Sequence, residues 1–259
     1  MTDKGGFIWY ELMTGDADGA TRFYEAVVGW SVANPKADGF DYREIQAGSE
    51  YVGGMLPLTA EMRSGGARSG WLGYINVDEV DRTVDAVLTA GGKVYMPAHD
   101  MEGIGRFALV ADPQGAPFYV MKPIPPKGQE GKSSEAFSPA VDGHCGWNEL
   151  ATSDPAAARS FYGDLFGWDS DDFMSMGEMG EYRFLDHDGT RIGALCGLMP
   201  GQQPRWRYYF KVPSIAAAKD IAEKEGGKIA MGPHEVPTGD WILIGFDPQG
   251  VEFALVGKA

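Results

Sequence analysis

The chain states its sequence twice. Phe7–Trp30 reads FIWYELMTGDADGATRFYEAVVGW and Cys145–Trp168 reads CGWNELATSDPAAARSFYGDLFGW. Trp9, Glu11, Leu12, Phe23, Tyr24, Gly29 and Trp30 return in the same order and spacing as Trp147, Glu149, Leu150, Phe161, Tyr162, Gly167 and Trp168. Further on, Trp71 returns as Trp206, Tyr74 as Tyr209, Gly91-Gly92-Lys93 as Gly226-Gly227-Lys228, and Asp112-Pro113-Gln114-Gly115 as Asp247-Pro248-Gln249-Gly250. A repeat of this length is a duplicated domain, so every functional residue must be weighed against its counterpart.

Each copy has about 120 residues, an ordinary size for one hydrophobic core. Residues 1–124 form the first domain, 125–143 a proline-rich linker, and 144–259 the second domain. The formal charge of −15 argues against a nucleic-acid partner. An acidic surface suits solubility, or a preference for a cationic small molecule. No apolar run reaches the ~20 residues of a membrane helix, and MTDKGG lacks a secretory pattern. Cys145 and Cys196 both lie in the second copy without counterparts in the first, so free thiols and a cytoplasmic location are expected.

Within each copy the pattern predicts strand, helix, three strands, and then the same series again. Phe7–Met13 alternates as a strand. A helix follows, with Ala20, Phe23 and Val27 on one face, Asp16 as N-cap and Gly29 as stop. The second copy uses Asp154 as cap and Pro155 at the first helical position. Tyr42–Gln46 with Tyr51–Leu56, and Tyr182–Asp186 with Arg191–Leu198, read as hairpins. A loop over Arg63–Gly70 leads to strand Trp71–Val77, helix Asp81–Ala90, and strands Lys93–Met96, Arg106–Ala111 and Pro117–Met121.

FY in the first helix, Gly-Trp after it, V-D-x-V-D opening the second helix and D-P-x-G before the last strand resemble the vicinal oxygen chelate superfamily. W-x-E-L on the first strand is similar to its two-domain members related to a mycobacterial culture-filtrate antigen. The resemblance implies an α+β fold of two tandem domains, each a pair of βαβββ modules with sheets curled into an open barrel. It also implies a cavity, in many members holding a divalent ion through His, Gln or Glu on the first, fourth, fifth and last strands. In this chain those positions carry Trp9 and Trp147, Gly53–Met55 and Gly193–Leu195, Leu72 and Arg207, and Tyr119 and Ala254. These side chains are not a divalent-ion donor set, so neither metal nor cofactor is expected. A shift of ligands onto Glu11 or Glu149 would supply one carboxylate per copy, short of a site.

Residues i and i+2 of a strand share a face, which places Glu11 beside Trp9 and Glu149 beside Trp147. A carboxylate in an aromatic cavity has a raised pKa and suits proton abstraction next to a carbonyl. It can also bind a ligand, and the plainest reading is a structural pair with Arg43, Arg183, Arg207 or Lys211. Trp9 and Trp147 either stack a flat or cationic ligand or fill space, and Tyr74, Tyr119 and Tyr209 share the inward parity. Arg207 joins them as a ligand-binding candidate. His99 and His234 are repeat-equivalent and read as loop residues after the sixth strand, while Cys145 next to His144 makes no dyad. No nucleotide-binding or zinc motif occurs. The expectation is a metal-free binder of a small aromatic or cationic molecule, as monomer or homodimer, away from nucleic acid and membrane. The alternative is a lyase or isomerase of small carbonyl compounds with Glu11 and Glu149 as bases, and a pure interaction scaffold stands third.

Overall fold

The computed structural model describes residues 4–35, 39, 41–125, 127–128 and 131–259. The first repeat runs β1 (Phe7–Thr14), α1 (Ala17–Val28), β2 (Ser31–Val32), β3 (Arg43–Ala47), β4 (Glu50–Pro57), α2 (Ala60–Ser64), β5 (Gly70–Asn76), α3 (Val80–Thr89), β6 (Lys93–Met101), β7 (Gly105–Ala111) and β8 (Pro117–Pro123). The second runs β9 (Cys145–Thr152), α4 (Pro155–Phe166), β10 (Phe173–Ser175), β11 (Glu181–His187), β12 (Thr190–Gly197), β13 (Arg205–Ser214), α5 (Ile215–Lys224), β14 (Lys228–Glu235), β15 (Trp241–Phe246) and β16 (Glu252–Lys258). Each repeat gives an eight-stranded sheet, in the orders β2-β3-β4-β1-β5-β8-β7-β6 and β10-β11-β12-β9-β13-β16-β15-β14. The fold is α+β with two tandem domains, and the sheets are not closed.

The helix signals act as the sequence implies. The Asp16 carboxylate accepts from Gly19 N–H at 2.9 Å, and Gly29, at φ +83°, turns the chain out of α1 in the left-handed region where a side chain would be strained. Ala20, Phe23 and Val27 are buried together on one face of α1. In α4, Asp154 caps Ala157 at 3.0 Å ahead of Pro155.

Three elements differ from the sequence reading. Part of the expected Arg63–Gly70 loop belongs to α2, whose first turn is capped by Thr59 at 3.1 Å. His99 and His234 are not loop residues: β6 and β14 carry on through them, opposite Phe107 and Ile242. Irregular register around Pro97 and Pro233 accommodates prolines that cannot donate to the ladder, and pairing resumes beyond each. Within 125–143, Ala136 is buried, its carbonyl accepts from Cys145 N–H at 3.1 Å, and Ser138 N–H donates to Cys145 O at 2.8 Å.

Contacts divide the chain into two compact units, and each takes half of each repeat. One contains the described residues of Met1–Ile8, Gly73–Ser134 and Asn148–Arg207. The other contains those of Trp9–Leu72, Glu135–Trp147 and Tyr208–Ala259. The repeated motifs alone do not say whether modules pair within or across copies. At the level of these units the repeats are exchanged.

The residues that hold each unit together are the motif residues themselves. In the first, Tyr162 donates to Asp112 Oδ2 at 3.1 Å, and Trp206 Nε1 donates to the Tyr162 hydroxyl at 3.0 Å. Asp112 Oδ1 closes its own turn on the N–H groups of Gly115 and Ala116, at 2.7 and 2.8 Å. The second unit repeats the chain: Trp71 donates to Tyr24 at 3.2 Å, Tyr24 to Asp247 Oδ2 at 3.1 Å, and Asp247 Oδ1 accepts from Gln249 and Val251. The tyrosine of one repeat thus holds the D-P-x-G turn of the other. The tryptophan after each first helix crosses in the same sense, with Trp168 Nε1 on Gly5 O at 2.7 Å and Trp30 Nε1 on Gly143 O at 2.6 Å.

Burial raises the pKa of Asp112 and Asp247, and their hydrogen bonds offset this only in part. Ionising them is harder in the folded state than in the unfolded chain, so this contribution falls as pH rises from the ordinary aspartate range through the raised pKa. Measured by urea denaturation, Asp112→Asn should therefore gain stability relative to wild type as pH goes from about 4 to about 7. A difference that is flat, or that moves the other way, contradicts this assignment.

Candidate functional site

The best-defined polar group lies in the first unit, on strands β9, β11 and β13 of the second repeat. Glu149 stands opposite Ala194 in the β9–β12 ladder and is 9% exposed. Its Oε1 pairs with Arg207 Nη1 at 2.6 Å, and its Oε2 accepts from the Tyr182 hydroxyl at 2.8 Å. Strand alternation puts Glu149, Ala194 and Cys196 on one face of the sheet. The Cys196 thiol is pushed up to about 12, by burial first and then by the Glu149 charge, against the opposing pull of Arg207 and Arg205. It stays protonated at neutral pH and is no nucleophile.

In the other unit the first repeat uses the same strand positions differently. Glu11, 3% exposed, stands opposite Gly54. Trp9 Nε1 donates to the Tyr42 hydroxyl at 2.7 Å. A Cβ on Gly54 would fall 2.1 Å from that hydroxyl, so the Tyr42 ring needs the bare glycine beneath it. The counterpart of Gly54 is Ala194, and Tyr182 turns to Glu149 instead. Arg43 forks onto Asp41 at 3.1 and 3.3 Å and reaches Asp18 at 2.7 Å.

Of the expected site residues, Glu149 and Arg207 meet directly. Tyr74 and Tyr119 stack at 4.1 Å with planes 13° apart, and Phe107 and His99 extend that aromatic patch. Trp147 packs on a separate cluster with Tyr209, Ile244 and Ala254. Sequence reading missed Tyr182 and Cys196. Tyr182 was legible as the tyrosine of the repeated Y-R dipeptide, where attention went to the arginine. Cys145 is buried, with its thiol pushed up to about 12 by burial, and it takes no part.

The comparisons agree with this architecture. The profile of the Glyoxalase/Bleomycin resistance protein/Dioxygenase superfamily matches residues 6–120 and 143–255. The chain belongs to that superfamily. It is 31% identical over 258 residues to "Putative glyoxylase CFP32" of Mycobacterium tuberculosis (97% of this chain, 94% of the relative). It is 28% identical over 265 residues to "Anthracycline biosynthesis protein DnrV" of Streptomyces peucetius (97% and 93%). The Mn(II)-bound glyoxalase of Novosphingobium aromaticivorans has a similar fold, with TM-score 0.64 and 14% identity over 99% of this chain and 83% of that one. Homoprotocatechuate 2,3-dioxygenase of Brevibacterium fuscum is alike in fold too, with TM-score 0.64 and 16% identity over 99% and 82%.

The superfamily implies a divalent ion, and the side chains at its four strand positions do not fit one. The indole of Trp9 is already donating to Tyr42, and Arg207 is a cation paired with Glu149. Among the described residues, no three His, Cys, Asp or Glu side chains cluster as a ligand set. No step through a metal is derived.

Both oxygens of Glu149 are engaged, one by a guanidinium, so the group is built as a fixed hydrogen-bonding edge more than as a free base. Arg207→Met should cost about 3–5 kcal/mol, because a buried carboxylate loses its cation. Arg207→Met combined with Glu149→Gln should recover most of that loss in denaturant unfolding. Equal losses in the single and double variants would contradict the pairing.

Proposed function

We propose that this protein binds a small planar, aromatic molecule without a metal, on the sheet face carrying Glu149, Arg207 and Tyr182, with the sheets curled as the open barrels the superfamily resemblance implies. The observation that carries this reading is the Glu149–Arg207–Tyr182 group. It offers fixed donors and an acceptor at a strand position where metal-dependent relatives need an ion ligand. The same group weakens the cationic half of the expectation, since Arg207 already neutralises the carboxylate a cation would seek. Tyr74 and Tyr119 are buried and already stacked on one another, so they lend this proposal no open ring face.

A glyoxalase-type lyase or isomerase using Glu11 and Glu149 as bases is the competing reading, and the burial of Glu11 is the observation in its favour. The relatives' names divide between glyoxylase and anthracycline biosynthesis and so favour no single chemistry.

The test titrates the full-length protein with 2-naphthol, followed by tryptophan fluorescence, with and without EDTA, alongside elemental analysis. Saturable binding that EDTA leaves unchanged is expected, weakened by at least ~10-fold in the Arg207→Met, Glu149→Gln double variant. Stoichiometric divalent metal together with EDTA-sensitive binding would overturn the proposal.

A further inference from the structure

We infer that the second repeat carries a separate site for a small organic carboxylate, in the cleft between the start of α4 and strands β11 and β12, with Arg183 as its anchor. The cleft measures about 550 Å³, and its lining includes Ala156, Arg159, Ser160, Arg183 and Leu195. Leu195 stands opposite Leu150, whereas Glu149 stands opposite Ala194. Alternation therefore puts this cleft on the other face of the sheet from Glu149.

The first repeat shows what such a place holds when filled. Ala156, Arg159, Arg183 and Leu195 are the counterparts of Asp18, Thr21, Arg43 and Met55. There all three nitrogens of the Arg43 guanidinium are engaged. Nε and Nη2 fork onto Asp41, and Nη1 takes the Asp18 carboxylate at 2.7 Å and the Thr21 hydroxyl at 3.4 Å. Thr21 in turn donates to Met55 Sδ at 3.7 Å, which seals the position.

In the second repeat the helix carboxylate is gone, because alanine stands at 156. Among the described residues Arg183 keeps one carboxylate, Glu181, through Nη2, and lies over the Phe173 ring at 5.1 Å. Arg159 replaces the small threonine and reaches away to Asp169 and Asp171. Losing one carboxylate and one sealing hydroxyl opens the cleft, and a guanidinium that paired two carboxylates in one repeat pairs one in the other.

A ligand that restores the Asp18 contact needs a carboxylate, the group a guanidinium fork matches best. Behind it, Pro155, Ala156 and Leu195 give an apolar wall for a short hydrocarbon or ring. Of the two acids in the lining, Glu181 pairs with Arg183 and Asp154 caps Ala157, while Asp169 and Asp171 are held by Arg159. The overall charge of −15 does not steer anions here, but exposed charges beyond about 8 Å are screened at physiological salt. Recognition is local.

The test follows the Arg183 Nε–Hε resonance of the full-length protein during titration with benzoate, using benzamide as the uncharged analogue. Benzoate should shift the resonance saturably and benzamide should not. Ala156→Asp, which restores the first repeat's carboxylate, should weaken benzoate by at least ~10-fold while the thermal midpoint stays level or rises. Glu149→Gln should leave the titration unchanged. Should Ala156→Asp fail to fold, Asp18→Ala combined with Thr21→Ala supplies the reciprocal measurement, because it removes both the carboxylate and the sealing hydroxyl, with a new benzoate response at Arg43. No saturable response at Arg183, an equal response to benzamide, undiminished binding in Ala156→Asp or no gain in the Asp18→Ala, Thr21→Ala double variant would each overturn the inference.

Discussion

The interaction on which this structure depends is a buried hydrogen bond from a helix tyrosine to the aspartate of a tight turn, made twice. Tyr162 on Asp112 and Tyr24 on Asp247 each join residues far apart in the chain and belonging to different repeats. The aspartate also closes its own turn through two backbone N–H groups, so one side chain fixes both local geometry and cross-repeat packing. A hydrogen bond to a charged group contributes about 1.5–3 kcal/mol, and stranding the buried acceptor costs comparably. The aromatic rings packed around each tyrosine, Trp168 and Trp206 in one unit and Trp30 and Trp71 in the other, add apolar burial to that bond. These residues recur in both repeats because each repeat supplies a tyrosine and receives one.

With the scaffold held by the recurring residues, the remaining positions are free to differ. At the inner strand positions the second repeat places a carboxylate, a guanidinium and a phenol in mutual contact, while the first places an indole on a phenol over a glycine. On the opposite sheet face the first repeat closes an arginine between two aspartates and the second leaves the matching arginine beside a cleft. The differences trace to a few residues, Leu72 against Arg207 and Gly54 against Ala194 on one face, and Asp18 against Ala156 and Thr21 against Arg159 on the other. The duplicated chain is therefore two related domains whose matching strand positions differ in chemistry.

Much of this was legible in the sequence. Caps at Asp16 and Asp154, the stop at Gly29, the hairpins and the superfamily all follow from local residue chemistry that the fold does not override. What escaped was set by distant partners. Nothing local in F-Y or D-P-x-G says that the hydroxyl of one meets the carboxylate of the other across the repeats. His99 and His234 read as loop residues although β6 and β14 run on through them, because the irregular pairing around Pro97 and Pro233 is set by the neighbouring strand. The role of Tyr182 depends on a partner from another strand, whereas Arg207 follows from the register of the superfamily's fifth-strand position.

The most direct test of this account is a double-mutant cycle on Tyr162→Phe and Asp112→Asn, read by urea unfolding of the full-length protein at neutral pH. A coupling of about 0.5–3 kcal/mol is expected for two groups joined by a buried bond. Additive single-variant losses, with no coupling, would show that the tyrosine and the aspartate act independently and that the repeats are held together by apolar packing alone.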